Sequence, residues 1–206
     1  MRATEALTLL IDLTKELPGI PEYQQQLASA KIQVGHVFLA RGDTSEAFAL
    51  YTESRTLLEG LSASNQDNDH LLGQYTLSLR YVGSILATQG KLQEARELQS
   101  KAATIADKLV AKSPGNASIG DLAGGSHFDL GDVFWSSGRL DQAAASFRKC
   151  SDIVEGQIEK HPEILSLKSS AVKFGAIRLQ SMQASLVGGR RDASRRGSQA
   201  GRAKAL

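Results

Sequence analysis

The sequence predicts an all-α solenoid built of stacked helix pairs. Three observations carry that expectation. A frame of small residues recurs at a constant spacing of 48: Gly35, Gly42 and Ala47, then Gly83, Gly90 and Ala95, then Gly131, Gly138 and Ala143. Self-similarity at a fixed period is the mark of a repeat array, in which each unit contacts only its neighbours. Apolar residues between these marks recur at helical spacing, and strand-like alternation is absent. Aromatic residues make up only 5% of the chain while Ala and Leu abound, a composition that favours helix.

From the N-terminus, residues 1–17 place Ala6, Leu9, Leu10, Leu13 and Leu17 on one helical face. In the 48-residue frame this segment coincides with the second helix of a unit whose first helix is missing. Pro18 and Gly19 end it. A helix from Tyr23 to Arg41 buries Leu27, Ala30, Val34 and Phe38, with Gly35 inside it. A mid-helix glycine costs about 1 kcal/mol relative to alanine. Its return at the same phase therefore calls for a reason, and close approach of a second helix supplies one. Gly42 turns the chain, and Asp43 or Thr44 can cap the next helix. That helix, over 44–63, carries Ala47, Leu50, Tyr51, Ser54, Leu57, Leu58 and Leu61.

The plan repeats with helices over Leu71–Gln89 and Leu92–Lys112, then Ile119–Ser137 and Leu140–Lys160. The units are a half repeat over 1–20, full repeats over 21–66, 67–114 and 115–162, and a degenerate partial repeat over 163–187, where Leu179 and Leu186 replace the frame glycines. Residues 188–206 are rich in Gly, Ser and Arg with little to bury, and read as a disordered basic tail.

The pattern resembles the tetratricopeptide repeat. That family's helix pair has a small residue in mid helix, a large apolar residue three on, a turn glycine, an early alanine in the second helix and an aromatic four residues later. Here the third-position residues are Phe38, Leu86 and Phe134, and the aromatic slot holds Tyr51, Gln99 and Phe147. The middle copy thus departs from the pattern. The period of 48 exceeds the usual ~34, and this long-helix form looks like repeats of large bacterial signalling proteins. The resemblance implies a right-handed superhelix whose first helices line a concave groove. By that analogy the groove offers Ile32, Gln33, His36 and Leu39 from the first full unit, and Arg80, Tyr81, Ser84 and Thr88 from the second. The third unit offers Phe128, Asp129, Asp132 and Trp135. The implied function is a non-catalytic scaffold that binds a protein or peptide. The Lys/Asn/Arg clamp for an Hsp70- or Hsp90-type terminal carboxylate is absent, because its slots hold Ile32 with His36, Arg80 with Ser84, and Phe128 with Asp132.

Other chemistry finds little support. No His or Cys pair stands at metal-ligand spacing around His36, His70, His127 or His161. Asp67 to His70 lacks the glycine and distal glutamate of a calcium loop, which leaves capping and turn chemistry. Cys150, the only cysteine, sits in a slot filled by Ser54 and Ala102 in the other units and reads as a packing residue. No phosphate loop and no nucleophile–base set is marked, so we expect no enzyme, no metal and no cofactor. No apolar run is long enough to span a bilayer, and Glu5, Asp12 and Glu16 interrupt the N-terminal helix as no secretory signal would allow. The expected location is cytoplasmic, without membrane contact. The net charge is +2; the tail carries Arg190, Arg191, Arg195, Arg196, Arg202 and Lys204 against Asp192, or +5, which leaves −3 elsewhere. Two further readings stay open at this point: a C-terminal sensor fragment of a larger signalling enzyme (kinase, caspase-like or nucleotide-switch protein), and nucleic-acid contact through the tail. No aromatic interleaves the tail's arginines, so nucleic acid is not the expected partner.

Overall fold

The structure is a computed structural model that describes residues 2–160. The partial repeat expected at 163–187 and the tail expected at 188–206 lie outside the described residues. Seven helices succeed one another, with no strand among the described residues: α1 (Arg2–Glu16), α2 (Pro21–Arg41), α3 (Thr44–Ser64), α4 (Asp69–Thr88), α5 (Leu92–Lys112), α6 (Ala117–Ser136) and α7 (Leu140–Lys160). They pair as α2/α3, α4/α5 and α6/α7, and α1 packs on α2. The chain is an all-α solenoid.

The frame residues explain the pairing. Gly42, Gly90 and Gly138 have φ of 88°, 77° and 72°, and are the positive-φ residues of the described chain. Each ends a first helix in the left-handed region, where a Cβ would be strained. The amide after each glycine donates back to a carbonyl five residues earlier: Asp43 to Phe38 at 3.0 Å, Lys91 to Leu86 at 2.9 Å and Arg139 to Phe134 at 2.9 Å. This backbone lock makes side-chain capping unnecessary. Asp43 makes no capping hydrogen bond, and Thr44 Oγ1 donates to the Gly42 carbonyl, which corrects the cap expected there. The side-chain caps lie instead at the connectors, where Asn68 Oδ1 accepts from Leu71 N and Asn116 Oδ1 accepts from Ser118 N and Ile119 N.

The mid-helix glycines are contact points. A Cβ on Gly35 would lie 2.6 Å from the Tyr51 ring, one on Gly83 2.8 Å from Gln99 Nε2, and one on Gly131 2.5 Å from the Phe147 ring. Tyr51, Gln99 and Phe147 are fully buried, as are Ala47, Ala95 and Ala143 and the small residues Ser54, Ala102 and Cys150. Gln99 therefore fills the same slot as the two aromatics. Burial pushes the Cys150 thiol up to about 11, as befits a packing residue. In α1 the expected face is displaced. Leu7 is buried with Leu27 and Val34, whereas Leu9 is 71% exposed, because α2 alone among the described helices packs on α1.

Between repeats the two layers behave differently. First helices touch across units, α2 with α4 and α4 with α6, whereas no second helix packs on another second helix among the described residues. The outer layer is bridged by long side chains from successive repeats. Lys101 Nζ donates to Glu59 Oε1 at 2.8 Å, and Lys149 Nζ donates to Asp107 Oδ2 at 2.6 Å. These pairs are about half exposed and stabilise by roughly 0.2–1 kcal/mol each. His127 Nε2 lies 2.9 Å from Asp107 Oδ1. Burial pushes the Asp107 carboxyl up, but the hydrogen bonds from Lys149 and His127 outweigh it and hold it below its usual value. The inner layer is joined by Arg80 Nε donating to Asp129 Oδ2 at 2.8 Å, both side chains 19% exposed. Burial raises the Asp129 carboxyl above its usual range although Arg80 opposes it.

This packing sets the expected effect of three substitutions. Gly131→Ala should destabilise the fold by about 1–2 kcal/mol in urea melts, since overpacking against a ring costs about 1–3 kcal/mol and alanine returns at most ~1 kcal/mol. Gly60→Ala, at a helical position with nothing within 4 Å of the added Cβ, should be neutral or stabilising by up to ~1 kcal/mol. If the two variants shift stability alike, close approach is not the role of Gly131. Removing the cation in Arg80→Met should cost about 3 kcal/mol near neutral pH, because it leaves a buried carboxylate unpaired. A carboxyl raised above its unfolded value of about 3.9 destabilises the fold as pH climbs past that value. The deficit of Arg80→Met should therefore shrink as pH falls toward 4, and a pH-independent deficit would contradict the pairing.

Candidate functional site

With the second helices splayed and the first helices in contact, α2, α4 and α6 present one continuous inner face. The residues expected to face a partner are distributed along it unequally. Gln33, His36, Ser84 and Thr88 are exposed, and Leu39 is 42% exposed. Ile32, expected beside them, is a correction: it is buried in the main core, whose members from α4 include Leu79, Val82 and Leu86. Its phase partners Arg80 and Phe128 are only partly covered, so one repeat position serves the core in one unit and the groove edge in the next.

At the α2/α4 junction the inner face is aromatic. The Tyr81 ring stacks on Tyr51 with centroids 5.0 Å apart, and meets His36 edge-on at 4.6 Å. Tyr51 Oη lies 2.7 Å from His36 Nδ1. Burial, with the neighbouring Tyr81, pushes the Tyr51 hydroxyl up to about 12, while burial lowers His36. Near neutral pH a protonated phenol thus donates to a neutral imidazole. Tyr81 is consequently as much a packing residue as a surface one. In the third unit Phe128 leans on Phe147 with centroids 5.7 Å apart, and Trp135 packs against the small cluster around Ala143 and Phe147.

Between α4 and α6 the groove widens into two hollows. The one toward the helix N-termini has a volume of about 530 Å³ and an apolar floor of Leu77, Ile119 and Leu122, with His70 and Asp121 also lining it. The one toward the C-termini is about 320 Å³ and polar, lined by Ser84, Thr88, Gln99, Asp129, Asp132 and Ser136. Arg80 lines the first and Asp129 the second, so their ion pair divides the two. The Arg80 guanidinium lies against Gly125, where any Cβ would collide with it. Sequence reasoning missed this arrangement; the small residue at Gly125 was its available signal. It also missed Gln99, which reaches the groove from beneath: Gln99 Nε2 donates to the Arg80 carbonyl at 3.0 Å and lies 3.4 Å from Ser84 Oγ.

Nothing in this arrangement resembles a reaction centre. Cys150 is buried, and no three His, Cys, Asp or Glu side chains converge as a metal site among the described residues. No described helix is long and apolar enough to cross a membrane.

Comparison with known proteins agrees with the architecture. The profile of the tetratricopeptide repeat matches residues 125–153, which span most of α6 and the first part of α7. No curated protein matches the chain. Among solved structures, the crystal structure of BtubC (BKLC) from P. vanneervenii is similar at 13% identity, covering 91% of this chain and 75% of that one, with a TM-score of 0.51. A MamA RS-1 ArsTM double mutant has 14% identity, 89% and 86% coverage and a TM-score of 0.41. The de novo designed helical repeat protein DHR64 has 12% identity, 92% and 95% coverage and a TM-score of 0.38. The helix–turn–helix pairs, the matched repeat and the likeness to a helical solenoid together support a tetratricopeptide-like family for this chain, and with it the general character of a protein-interaction scaffold.

Proposed function

We propose that the chain is a non-catalytic scaffold that holds an extended segment of a protein partner along the inner face of α2, α4 and α6. The observation that carries this reading is the asymmetry between the layers. First helices touch across repeats and second helices do not, which curves the array around an inner face. On that face the 48-residue frame leaves side chains free to differ: His36, Ser84 and Asp132 share one phase, and Leu39, Ala87 and Trp135 another. A surface mixing aromatic, apolar and charged groups suits recognition of a peptide by a few anchors. The same reading takes the 48-residue unit as the long-helix tetratricopeptide form of bacterial signalling proteins, working in the cytoplasm. A terminal-carboxylate ligand is disfavoured, since Arg80 is engaged by Asp129.

Photo-cross-linking tests the proposal by position. A benzophenone side chain placed at Leu39 or Thr88 should capture a defined partner from the native cell. The same group at Glu97 or Thr104, exposed on α5, should not. Equal capture from both faces, or capture only from α5, would overturn the groove reading.

A further inference from the structure

The polar hollow between the C-terminal halves of α4 and α6 has a chemistry that narrows what can enter it. Its donors are already committed. Gln99 Nε2 donates to the Arg80 carbonyl, Thr88 Oγ1 donates to the Ile85 carbonyl at 2.7 Å, and Arg80 Nε donates to Asp129. What the walls still offer is acceptors. Gln99 Oε1 is buried on a side chain with no exposed surface, lines the hollow through its residue and has no hydrogen-bond partner. Leaving such an atom unpaired carries a desolvation penalty, so a donor arriving from the groove would recover that loss. Two carboxylates, Asp129 and Asp132, line the same space with no basic side chain in the lining, and the one adjoining guanidinium leaves a net formal charge of −1. The Asp129 carboxylate is also held buried against its solvation preference with Arg80 alone opposing the penalty. A second positive charge nearby would relieve it.

We infer that this hollow is a pocket for one cationic side chain, a lysine or arginine, projecting from an extended partner peptide. The inference rests on the groove reading above and deepens it. A cation supplies donors to Gln99 Oε1 and the carboxylates at once and neutralises the residual charge. An anionic or purely apolar group does neither. The volume of about 320 Å³ accepts the end of a long side chain rather than a folded element. The hollow opens into a groove flanked by Tyr81 and Trp135, which a peptide backbone would track and a free small cation would not use.

The test uses the full chain, ¹⁵N-labelled, titrated with two blocked pentapeptides that differ only at the centre: Gly-Ala-arginine-Ala-Gly and its citrulline counterpart, which keeps the shape and loses the charge. The arginine peptide should shift the signals of Ser84, Thr88, Asp132 and the Gln99 side-chain amide, and should bind at least tenfold more tightly than the citrulline peptide. Asp132→Asn should abolish that preference, whereas Asp121→Asn, in the neighbouring hollow, should retain it. Should Asp132→Asn fold poorly, Thr88→Lys offers a second route: a tethered ammonium at the exposed rim should exclude the arginine peptide without disturbing the rest of the spectrum. Equal affinity for both peptides, shifts confined to another face, or a preference that survives Asp132→Asn or Thr88→Lys would overturn the pocket. If groove cross-links still form in that event, the groove reading stands and the cation pocket alone falls. A full-length variant with Arg190, Arg191, Arg195 and Arg196 all replaced by Gln checks the occupant. If neutralising these residues shifts the same pocket signals before any peptide is added, the cation comes from the chain itself and the assignment to a partner is overturned.

Discussion

Everything in the array is set by the distance between the two helices of a pair, and that distance is set at one point per repeat. Where Gly35, Gly83 and Gly131 stand, no Cβ separates the first helix from Tyr51, Gln99 or Phe147 on the second. Each glycine costs about 1 kcal/mol of helix propensity. Fully burying a large apolar side chain against it gains about 1.5–3 kcal/mol, so the contact wins in the two aromatic units. Interiors at near-crystalline density do not deform smoothly, so one contact repeated at one phase yields one pair geometry, and a stack of identical pairs must curve in one direction.

That curvature distributes labour between the faces. On the inner side the first helices pack directly, and the Arg80–Asp129 pair ties α4 to α6 where both charges are largely removed from water. On the outer side the second helices stand apart and are bridged by Lys101–Glu59 and Lys149–Asp107, pairs that keep about half their surface in solvent. The outer pairs are individually weak and locally replaceable. The inner pair is neither, because either partner alone would be a buried charge. The inner face is thus the rigid one, and a groove whose walls do not reorganise loses less on binding than a flexible surface would.

Which parts of this were legible in the chain depends on how local each constraint is. The turn glycines and the small residues recur because their reason lies within a few residues of backbone: a left-handed φ, or a Cβ that cannot fit. Helix bounds over Leu92–Lys112 and Leu140–Lys160 are read directly from the repeat and coincide with α5 and α7. Contacts across some 49 positions, such as Arg80 with Asp129, leave no such trace. Nor does phase alone separate the core from the groove. Ile32 and Arg80 are equivalent in the frame, yet Ile32 is in the core and Arg80 at the groove. In α1 the spacing of apolar residues admits two faces, and packing on α2 selects the one with Leu7 rather than Leu9.

Gln99 is the most instructive departure, since a glutamine in an aromatic slot reads as a flaw in the repeat. The slot demands reach and bulk against a glycine, and glutamine supplies both. It also carries polar atoms to the tip. In each unit that tip lies beneath the same groove position: Tyr51 Oη meets His36, Gln99 Nε2 lies 3.4 Å from Ser84 Oγ, and Phe147, beneath the phase of Asp132, has no polar atom to offer. The packing residue therefore governs the hydrogen bonding of the groove residue above it. Frame and recognition surface are not independent sets of positions. A substitution in the buried slot changes what the inner face can bind without touching that face, and a glutamine there opens a polar floor that neither aromatic unit possesses.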